Sequence, residues 1–240
     1  MLQAVLFDLD GTLLPLPQEA FIQEYLHHLA AWVSSTTEPR FFINQLLAAT
    51  EAMIRSKDAE KTNREVFFEN FIPGVGLSAE ILHPLFEEFY QQHFHKVKHL
   101  TSCNAFSRQA VMTAQKLGLK TVVATNPLFP IEAIRQRMEW ANIHDLPFDL
   151  VTSYETSHYC KPHGEYYQEI AKIIVCPPEE CLMIGNDIEE DLAAAKIGMK
   201  TYLVTDCLLN GKNLPFTSDY AGSMEELAAS LEAIVRKPLD

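Results

Sequence analysis

Short apolar segments alternate with amphipathic segments from about residue 100 onward, and this alternation constrains the fold more than any other feature. The pattern predicts strands near 3–7, 121–124, 148–151, 181–184 and 201–204, and helices near 104–117, 130–140, 164–174, 189–197 and 223–236. Repeated strand–helix units of this length are typical of a parallel sheet that is covered by helices on both faces. We therefore predict an α/β fold with a doubly wound, Rossmann-like sheet of five strands.

The segment between the first strand and the second has a different pattern. From about residue 17 to 99, apolar residues recur at three- and four-residue spacing, as in Phe21, Tyr25 and Leu29. This spacing predicts about four amphipathic helices. We therefore expect a discontinuous α/β core domain over residues 1–15 and 100–240, interrupted by an all-helical domain over residues 16–99.

Charge and cysteine content limit the environment and the partners of the chain. Its 240 residues include 32 acidic and 19 basic residues, a formal net charge of −13, which makes duplex nucleic acid and anionic membranes poor partners. The five cysteines form no CxxC pair, and the chain begins directly with a strand-like segment. We therefore predict reduced thiols, a cytoplasmic location, and no nucleic-acid or membrane partner; a monomer and a homodimer both remain open.

Polar residues follow several of the predicted strands where they end. The relevant strings are Asp8-Leu9-Asp10-Gly11-Thr12, Thr125-Asn126 and Gly185-Asn186-Asp187, together with Lys161-Pro162 in a connection. Ligands of open parallel sheets bind at the carboxyl ends of the strands, so we expect these residues to converge at one edge. Two carboxylates that are two residues apart can serve different roles, one as a nucleophile and the other as a proton donor and acceptor.

These four strings, in this order, resemble the four signatures of the haloacid dehalogenase superfamily. The fourth extends here from Gly185 to Asp191. The helical insert resembles the C1-type cap domain of that superfamily, and the whole chain is most similar to its phosphatase branch, which includes phosphoglycolate phosphatases.

The resemblance implies a role for each signature residue. It implies that Asp8 attacks phosphorus and becomes an aspartyl phosphate, and that Asp10 acts as general acid and then as general base. Thr125 would hold the phosphoryl group, and Lys161 would hold the nucleophile and the phosphate together. Two further residues are candidates for substrate binding, Asn126 and Thr12.

The resemblance also implies a Mg²⁺ ion held by a side-chain oxygen of Asp8, the backbone carbonyl of Asp10, and Asp187. Such hard oxygen ligands suit Mg²⁺ better than zinc, and the ion would offset the repulsion between these carboxylates and an anionic substrate. In the commoner form of the family an acid directly follows the glycine of the fourth signature, whereas this chain has Asn186 there. We assign the ligand to Asp187, with Asp191 as its support or as an alternate ligand.

The predicted activity is Mg²⁺-dependent hydrolysis of a small phosphomonoester, with a phosphorylated metabolite as the partner. A sugar phosphomutase, a haloacid dehalogenase and a non-catalytic phosphate-binding regulator are the alternatives, and Asp10 and Asp187 argue against the dehalogenase. Four basic residues of the insert form a salt-bridged surface, or one or two of them contact a second anionic group of the substrate: Arg55, Lys57, Lys61 and Arg64. Cys160, beside Lys161, is either a packed thiol or a reactive thiol with a lowered pKa.

Overall fold

A six-stranded parallel sheet forms the centre of the molecule in the computed structural model, which describes residues 1–238. Residues 239 and 240, the end of the predicted core segment, lie outside the described residues. The order of the strands is β3-β2-β1-β4-β5-β6. The strands are β1 Ala4–Phe7, β2 Lys120–Val123, β3 Leu150–Val151, β4 Cys181–Gly185, β5 Lys200–Val204 and β6 Tyr220–Gly222.

The predicted α/β class and parallel sheet are confirmed, and the predicted number of strands is wrong. The structure adds β6, which pairs in parallel with β5 over Tyr220–Gly222. This strand has only three residues, it ends in glycine, and none of the three is fully buried. It therefore lacks the apolar run by which a strand of a parallel sheet is recognised in a sequence.

Eight α-helices accompany the sheet in the described part of the chain. Four lie in the predicted insert: α1 Gln18–Val33, α2 Pro39–Arg55, α3 Asn63–Val75 and α4 Ala79–Gln92. A 3₁₀ helix over Phe94–Leu100 follows them. The other four are α5 Ala105–Lys116, α6 Ile131–Trp140, α7 Gly164–Ile173 and α8 Met224–Val235. No helix in this part of the chain is both long and apolar enough to cross a membrane.

The predicted α-helix near 189–197 is a 3₁₀ helix over Asp191–Ile197. Its first residue is buried, and the Asp191 N–H donates to the carbonyl of Asp187 at 2.9 Å. Gly198 ends the segment in the left-handed conformation, with φ at 94°. The tighter helix suits such a short segment that is held at both ends.

The two faces of β1 pack against different helices, as the alternation of side chains along a strand requires. Val5 and Phe7 belong to the apolar cluster that includes α5, α8 and the helices of the insert. Ala4 and Leu6 belong to the other cluster, with α7. Coverage on both faces places β1 in the interior, so that the polar residues after Phe7 emerge at the carboxyl edge of the sheet.

Aromatic contacts join the helical segment to the sheet-bearing part of the chain beside that edge. The rings of Tyr25 and Phe129 have centroids 5.3 Å apart, and those of Phe94 and Trp140 are 5.5 Å apart. The helices α1–α4 are thereby packed next to the ends of the strands. The division into a core domain and a helical domain stays a prediction.

Candidate active site

The carboxyl ends of β1, β2 and β4 meet around a small cavity. The Asp8 N–H donates to the carbonyl of Ile184 at 2.8 Å, and the Ala124 N–H donates to that of Phe7 at 2.7 Å. A cavity of about 70 Å³ lies at this edge. Its lining includes six of the predicted site residues: Asp8, Asp10, Thr125, Asn126, Asp187 and Asp191.

The turn after β1 is tied to the turn after β4 by buried polar contacts. Gly11 has φ at 79°, and a Cβ there would lie 2.4 Å from Nδ2 of Asn186. The hydroxyl of Thr12 donates to Oδ1 of Asn186 at 2.9 Å, and Nδ2 of Asn186 donates to the carbonyl of Cys207 at 2.6 Å. Thr12 is thus engaged by the protein itself, and its assignment to substrate binding stays a prediction.

Lys161 is buried between two carboxylates. Its Nζ lies 2.8 Å from Oδ1 of Asp8 and 2.6 Å from Oδ1 of Asp191. Burial disfavours the charge of this lysine, but the carboxylates of Asp191 and Asp8 outweigh that effect and raise the pKa of Lys161 well above its usual range. Burial also raises the pKa of Asp8, and Lys161 opposes the rise. The structure therefore brings the predicted nucleophile and the predicted cation into direct contact.

Asn126 connects this lysine to a further acid. Its Oδ1 accepts from the backbone N–H of Lys161 at 3.2 Å, and its Nδ2 donates to Oε1 of Glu190 at 2.9 Å. Thr125 is buried in the cavity wall, and its carbonyl accepts from the hydroxyl of Tyr166 at 2.8 Å. Asn126 thus positions other residues in this structure, while its predicted contact with substrate is untested.

The two aspartates of the fourth signature differ in what they contact. Oδ1 of Asp187 accepts from the N–H groups of Glu189 and Glu190 at 2.7 and 2.9 Å, in the manner of a helix N-cap. Oδ2 of Asp191 accepts from the Asp187 N–H at 2.9 Å, while its Oδ1 holds Lys161. Burial raises the pKa of Asp187, and it raises that of Asp191 to about 6. In this structure Asp191 supports Lys161 and the turn that presents Asp187.

Two residues at the site were not predicted from the sequence. Arg137, from α6, is fully buried and forms an ion pair with Asp10. Glu190 lines the cavity, and burial raises its pKa to about 8. Arg137 lies on the apolar face of its helix with Ile134 and Met138, so a lone arginine on that face was the available signal. Glu190 lies in a run of acidic residues of the kind that caps a helix, and such a run does not indicate a buried carboxyl group.

The four basic residues of the insert do not line the small cavity. Three of them form ion pairs with glutamates: Arg55–Glu51, Lys57–Glu165 and Lys61–Glu69. Arg64 lies over the ring of Phe68, with 5.4 Å from Cζ to the ring centroid. The salt-bridged surface accounts for the first three residues, and the contact of one or two of the four with a substrate anion stays a prediction.

Cys160 is a packed thiol. It is fully buried, and burial raises its pKa. The hypothesis of a reactive thiol with a lowered pKa is therefore wrong, because only the thiolate is a strong nucleophile.

The donor atoms at the cavity fit a magnesium ion. Among the residues that the structure describes, no three His, Cys, Asp or Glu side chains form a metal cluster. The predicted ligand set requires only two carboxylates, those of Asp8 and Asp187, because its third member is the backbone carbonyl of Asp10. All of these atoms are hard oxygens, which Mg²⁺ prefers. The raised pKa values of both aspartates reflect carboxylates whose charge is costly in this buried setting, and a cation would relieve that cost.

Comparisons with known proteins agree with the fold. The sequence profile described as haloacid dehalogenase-like hydrolase matches residues 2–198. The pyrophosphatase PpaX of Bacillus mycoides (strain KBAB4) is 22% identical over 205 residues, which cover 85% of this chain and 84% of that protein.

Solved structures have the same overall fold. The HAD phosphatase from Thermococcus onnurineus superposes with a TM-score of 0.60 at 19% identity and full coverage of both chains. The L-2-haloacid dehalogenase from Xanthobacter autotrophicus with chloropropionic acid covalently bound has a TM-score of 0.57 at 15% identity, covering 98% of this chain and 100% of that one.

Proposed function

The chain belongs to the haloacid dehalogenase-like hydrolases, and on this basis we propose that it hydrolyses a small phosphomonoester with Mg²⁺ through an aspartyl phosphate on Asp8. The observation that carries the proposal is the contact of Lys161 with Asp8 at a cavity formed by the ends of three parallel strands. The cation orients the carboxylate and compensates for the negative charge that an incoming phosphate brings. The similarity to proteins named as phosphatases and pyrophosphatases supports the same class of reaction.

The proposed reaction has two steps. In the first, a carboxylate oxygen of Asp8 forms a bond to phosphorus, the bond from phosphorus to the leaving oxygen breaks, and Asp10 gives a proton to that oxygen. In the second, water attacks the phosphorus, Asp10 takes a proton from the water, and phosphate leaves with regeneration of Asp8. Both aspartates line the same cavity, as a reaction in which both act on one phosphoryl group requires.

Other residues would support these steps. Lys161 would hold Asp8 and the phosphate together, with Asp191 fixing the position of Lys161. Thr125 and Asn126 lie in the cavity wall, where they would contact the phosphoryl oxygens. Mg²⁺, held by Asp8, Asp187 and the Asp10 carbonyl, would neutralise charge on the transferred group.

The test is turnover of an aryl phosphate by the full chain with Mg²⁺, compared with the Asp8→Asn variant. We expect Asp8→Asn to abolish turnover, whereas Asp58→Asn, a change at an exposed residue of the insert, should leave it unchanged. Rapid acid quench followed by peptide mass analysis should show a phosphoryl group on Asp8 in the wild type. Robust turnover by Asp8→Asn would overturn the proposal.

The alternatives give different outcomes with the same protein. Halide release from a haloacid in the presence of EDTA would indicate a dehalogenase, and faster transfer of phosphate to a sugar phosphate than to water would indicate a phosphomutase. Tight binding of a phosphate mimic without hydrolysis would indicate a regulator. The cytoplasmic location, the absence of nucleic-acid and membrane partners, and the choice between monomer and homodimer stay predictions.

A further inference from the structure

The cavity at the carboxylates is too small for a whole substrate. Its volume of about 70 Å³ suits a small group such as a phosphoryl, whereas cavities that enclose whole small molecules measure about 300–1,000 Å³. The leaving group of a phosphomonoester must therefore occupy a neighbouring space.

A larger cavity adjoins the small one between helix α1 and the loop that follows β5. It has a volume of about 500 Å³, and it shares three lining residues with the small cavity: Gln18, Ile22 and Asp187. Another cavity, of about 440 Å³ and lined by Arg64, shares none of its described lining residues with the small one. A further cavity, of about 380 Å³, shares only Leu16 and Gln18 with the small one. The cavity beside α1, which we call the α1 cavity, shares the most lining residues and reaches the carboxylate of Asp187, so we take it as the space open to the leaving group.

The charges of the α1 cavity are predominantly negative. The described residues that line it include three acids, Glu19, Asp187 and Glu189, and one base, Lys212. That base is already paired, because its Nζ lies 2.6 Å from Oε1 of Glu189. Glu19, in the first turn of α1, instead accepts a hydrogen bond from the amide of Gln23 at 3.2 Å. Asp187 is the proposed magnesium ligand and Glu189 is paired with Lys212, so the charge that remains to repel a second anionic group in this space is that of Glu19.

The remaining lining combines apolar and neutral polar groups. Ile22, Leu209 and Leu214 supply apolar surface. The side chains of Gln18 and Gln23 supply amides that can donate and accept hydrogen bonds. Such a lining matches a leaving group that has hydroxyl groups and carbon surface and no negative charge of its own.

We infer that the α1 cavity binds the leaving group of the substrate and selects phosphomonoesters of uncharged, hydroxylated alcohols over those whose leaving group carries a carboxylate or phosphate. The inference rests on the proposed phosphatase function and adds a substrate class to it. Glu19 is the specificity-determining acid. It lines the cavity, and in the described part of the chain it forms no ion pair, whereas Glu189 is paired with Lys212. The aryl phosphate of the preceding test measures phosphatase activity, whereas a matched pair of substrates measures the preference for one leaving group over the other.

Glycerol 3-phosphate and 3-phosphoglycerate form such a pair, because they differ by a hydroxymethyl group in place of a carboxylate. We expect kcat/KM of the wild type to favour glycerol 3-phosphate by on the order of tenfold at low ionic strength. Glu19→Lys should reduce this ratio by about fivefold or more, and Glu19→Gln should have an intermediate effect. Glu60→Lys makes the same change of charge at an exposed residue of the insert outside the cavity, and it should leave the ratio unchanged.

The salt dependence provides a second readout. The preference for the uncharged leaving group should weaken at high salt in the wild type, because exposed charges are screened over a few ångströms at about 1 M salt. The inference would be overturned if the wild type turned over both substrates equally and Glu19→Lys did not change the ratio. The phosphatase function would still hold in that case, provided that turnover of the aryl phosphate depends on Asp8. Pyrophosphate as the best substrate would also overturn it. Loss of the phosphatase function itself would show as absent aryl phosphate turnover in the wild type.

Discussion

Asp10 and Arg137 form an ion pair that joins the turn after β1 to the last turn of helix α6. The guanidinium is fully buried, its Nε donates to the carbonyl of Ala133 at 3.2 Å, and its Cζ lies 4.6 Å from the ring centroid of Phe129. Oδ1 of Asp10 is buried without a hydrogen-bond partner among the described residues. The orientation of the proposed general acid and base therefore depends on one arginine that no signature motif contains.

Replacing this arginine should affect both stability and chemistry. Arg137→Met leaves the Asp10 carboxylate without its cation, and we expect the free energy of unfolding to fall by about 3 kcal/mol in urea denaturation. It should also lower kcat for an aryl phosphate more than it changes KM, because Asp10 is proposed to transfer protons rather than to bind substrate. Arg137→Lys should recover part of kcat.

Arg135→Met is the matched control, since this arginine is exposed on the same helix. It should leave both quantities unchanged. An Arg137→Met variant with the stability and kcat of the wild type would show that the ion pair has no part in positioning Asp10.

The two partners of Lys161 allow its roles in stability and in catalysis to be separated. Lys161→Met buries the carboxylates of Asp8 and Asp191 without a cation, so we expect a loss of about 3 kcal/mol or more in stability and about a hundredfold loss in kcat/KM. Adding Asp191→Asn removes one of the two charges, and the double variant should regain stability without regaining activity. Lys172→Met, at an exposed lysine, is the control. Recovery of activity in the double variant would contradict a direct role of Lys161 in phosphoryl transfer.

Much of the fold was predictable because the signals are local. Buried strands such as β1 and β4 are continuous apolar runs, and the helices of the insert have a regular apolar face. The misses have physical causes as well. The strand β6 is short and only partly buried. The 3₁₀ helix begins at Asp191, which contacts Lys161 from a distant part of the sequence, and it ends at Gly198 in the left-handed conformation.

The site was predictable where its residues directly follow strands. Parallel strands bring their carboxyl ends together whatever the connections between them, so the proximity of Asp8 and Asp187 followed from the pattern. The contact of Arg137 with Asp10 depends on how α6 packs against the turn after β1, which no local signal encodes. The different contacts of Asp187 and Asp191 likewise depend on the tertiary structure, which brings Lys161 to the carboxylate of Asp191.

Glu190 should make the stability of the metal-free protein depend on pH. Its pKa is raised from 4.5 to about 8, first by burial and further by the neighbouring acids, against the effect of Lys161. A carboxyl with a raised pKa in the folded state stabilises the fold below its unfolded pKa, and this contribution is lost as the pH rises towards about 8. In EDTA, the free energy of unfolding should therefore fall between pH 5 and pH 8 in the wild type by several kcal/mol more than in Glu190→Gln.

The glutamine in that variant can still accept the hydrogen bond from Nδ2 of Asn126, so the comparison isolates the charge. Glu189→Gln, at the exposed neighbouring acid, should keep the pH dependence of the wild type. Parallel stability profiles for the wild type and Glu190→Gln would show that Glu190 titrates normally in the fold.

A substitution at Asn186 tests whether the asparagine that replaces the acid of the commoner family motif has a functional or a structural role. Its amide nitrogen donates to the Cys207 carbonyl at 2.6 Å, and its oxygen accepts from Thr12. Asn186→Asp replaces the donor with a carboxylate oxygen that faces that carbonyl, and it adds a negative charge beside Asp187. We expect a loss of about 1–3 kcal/mol in stability and no gain in kcat for an aryl phosphate. Asn213→Asp, at an exposed position, should leave both stability and kcat unchanged.

The contradicting outcome concerns the metal. If Asn186→Asp bound Mg²⁺ more tightly in calorimetry, and if adding it to Asp187→Asn restored activity, the ligand role would belong to position 186, and the assignment of Asp187 would be wrong.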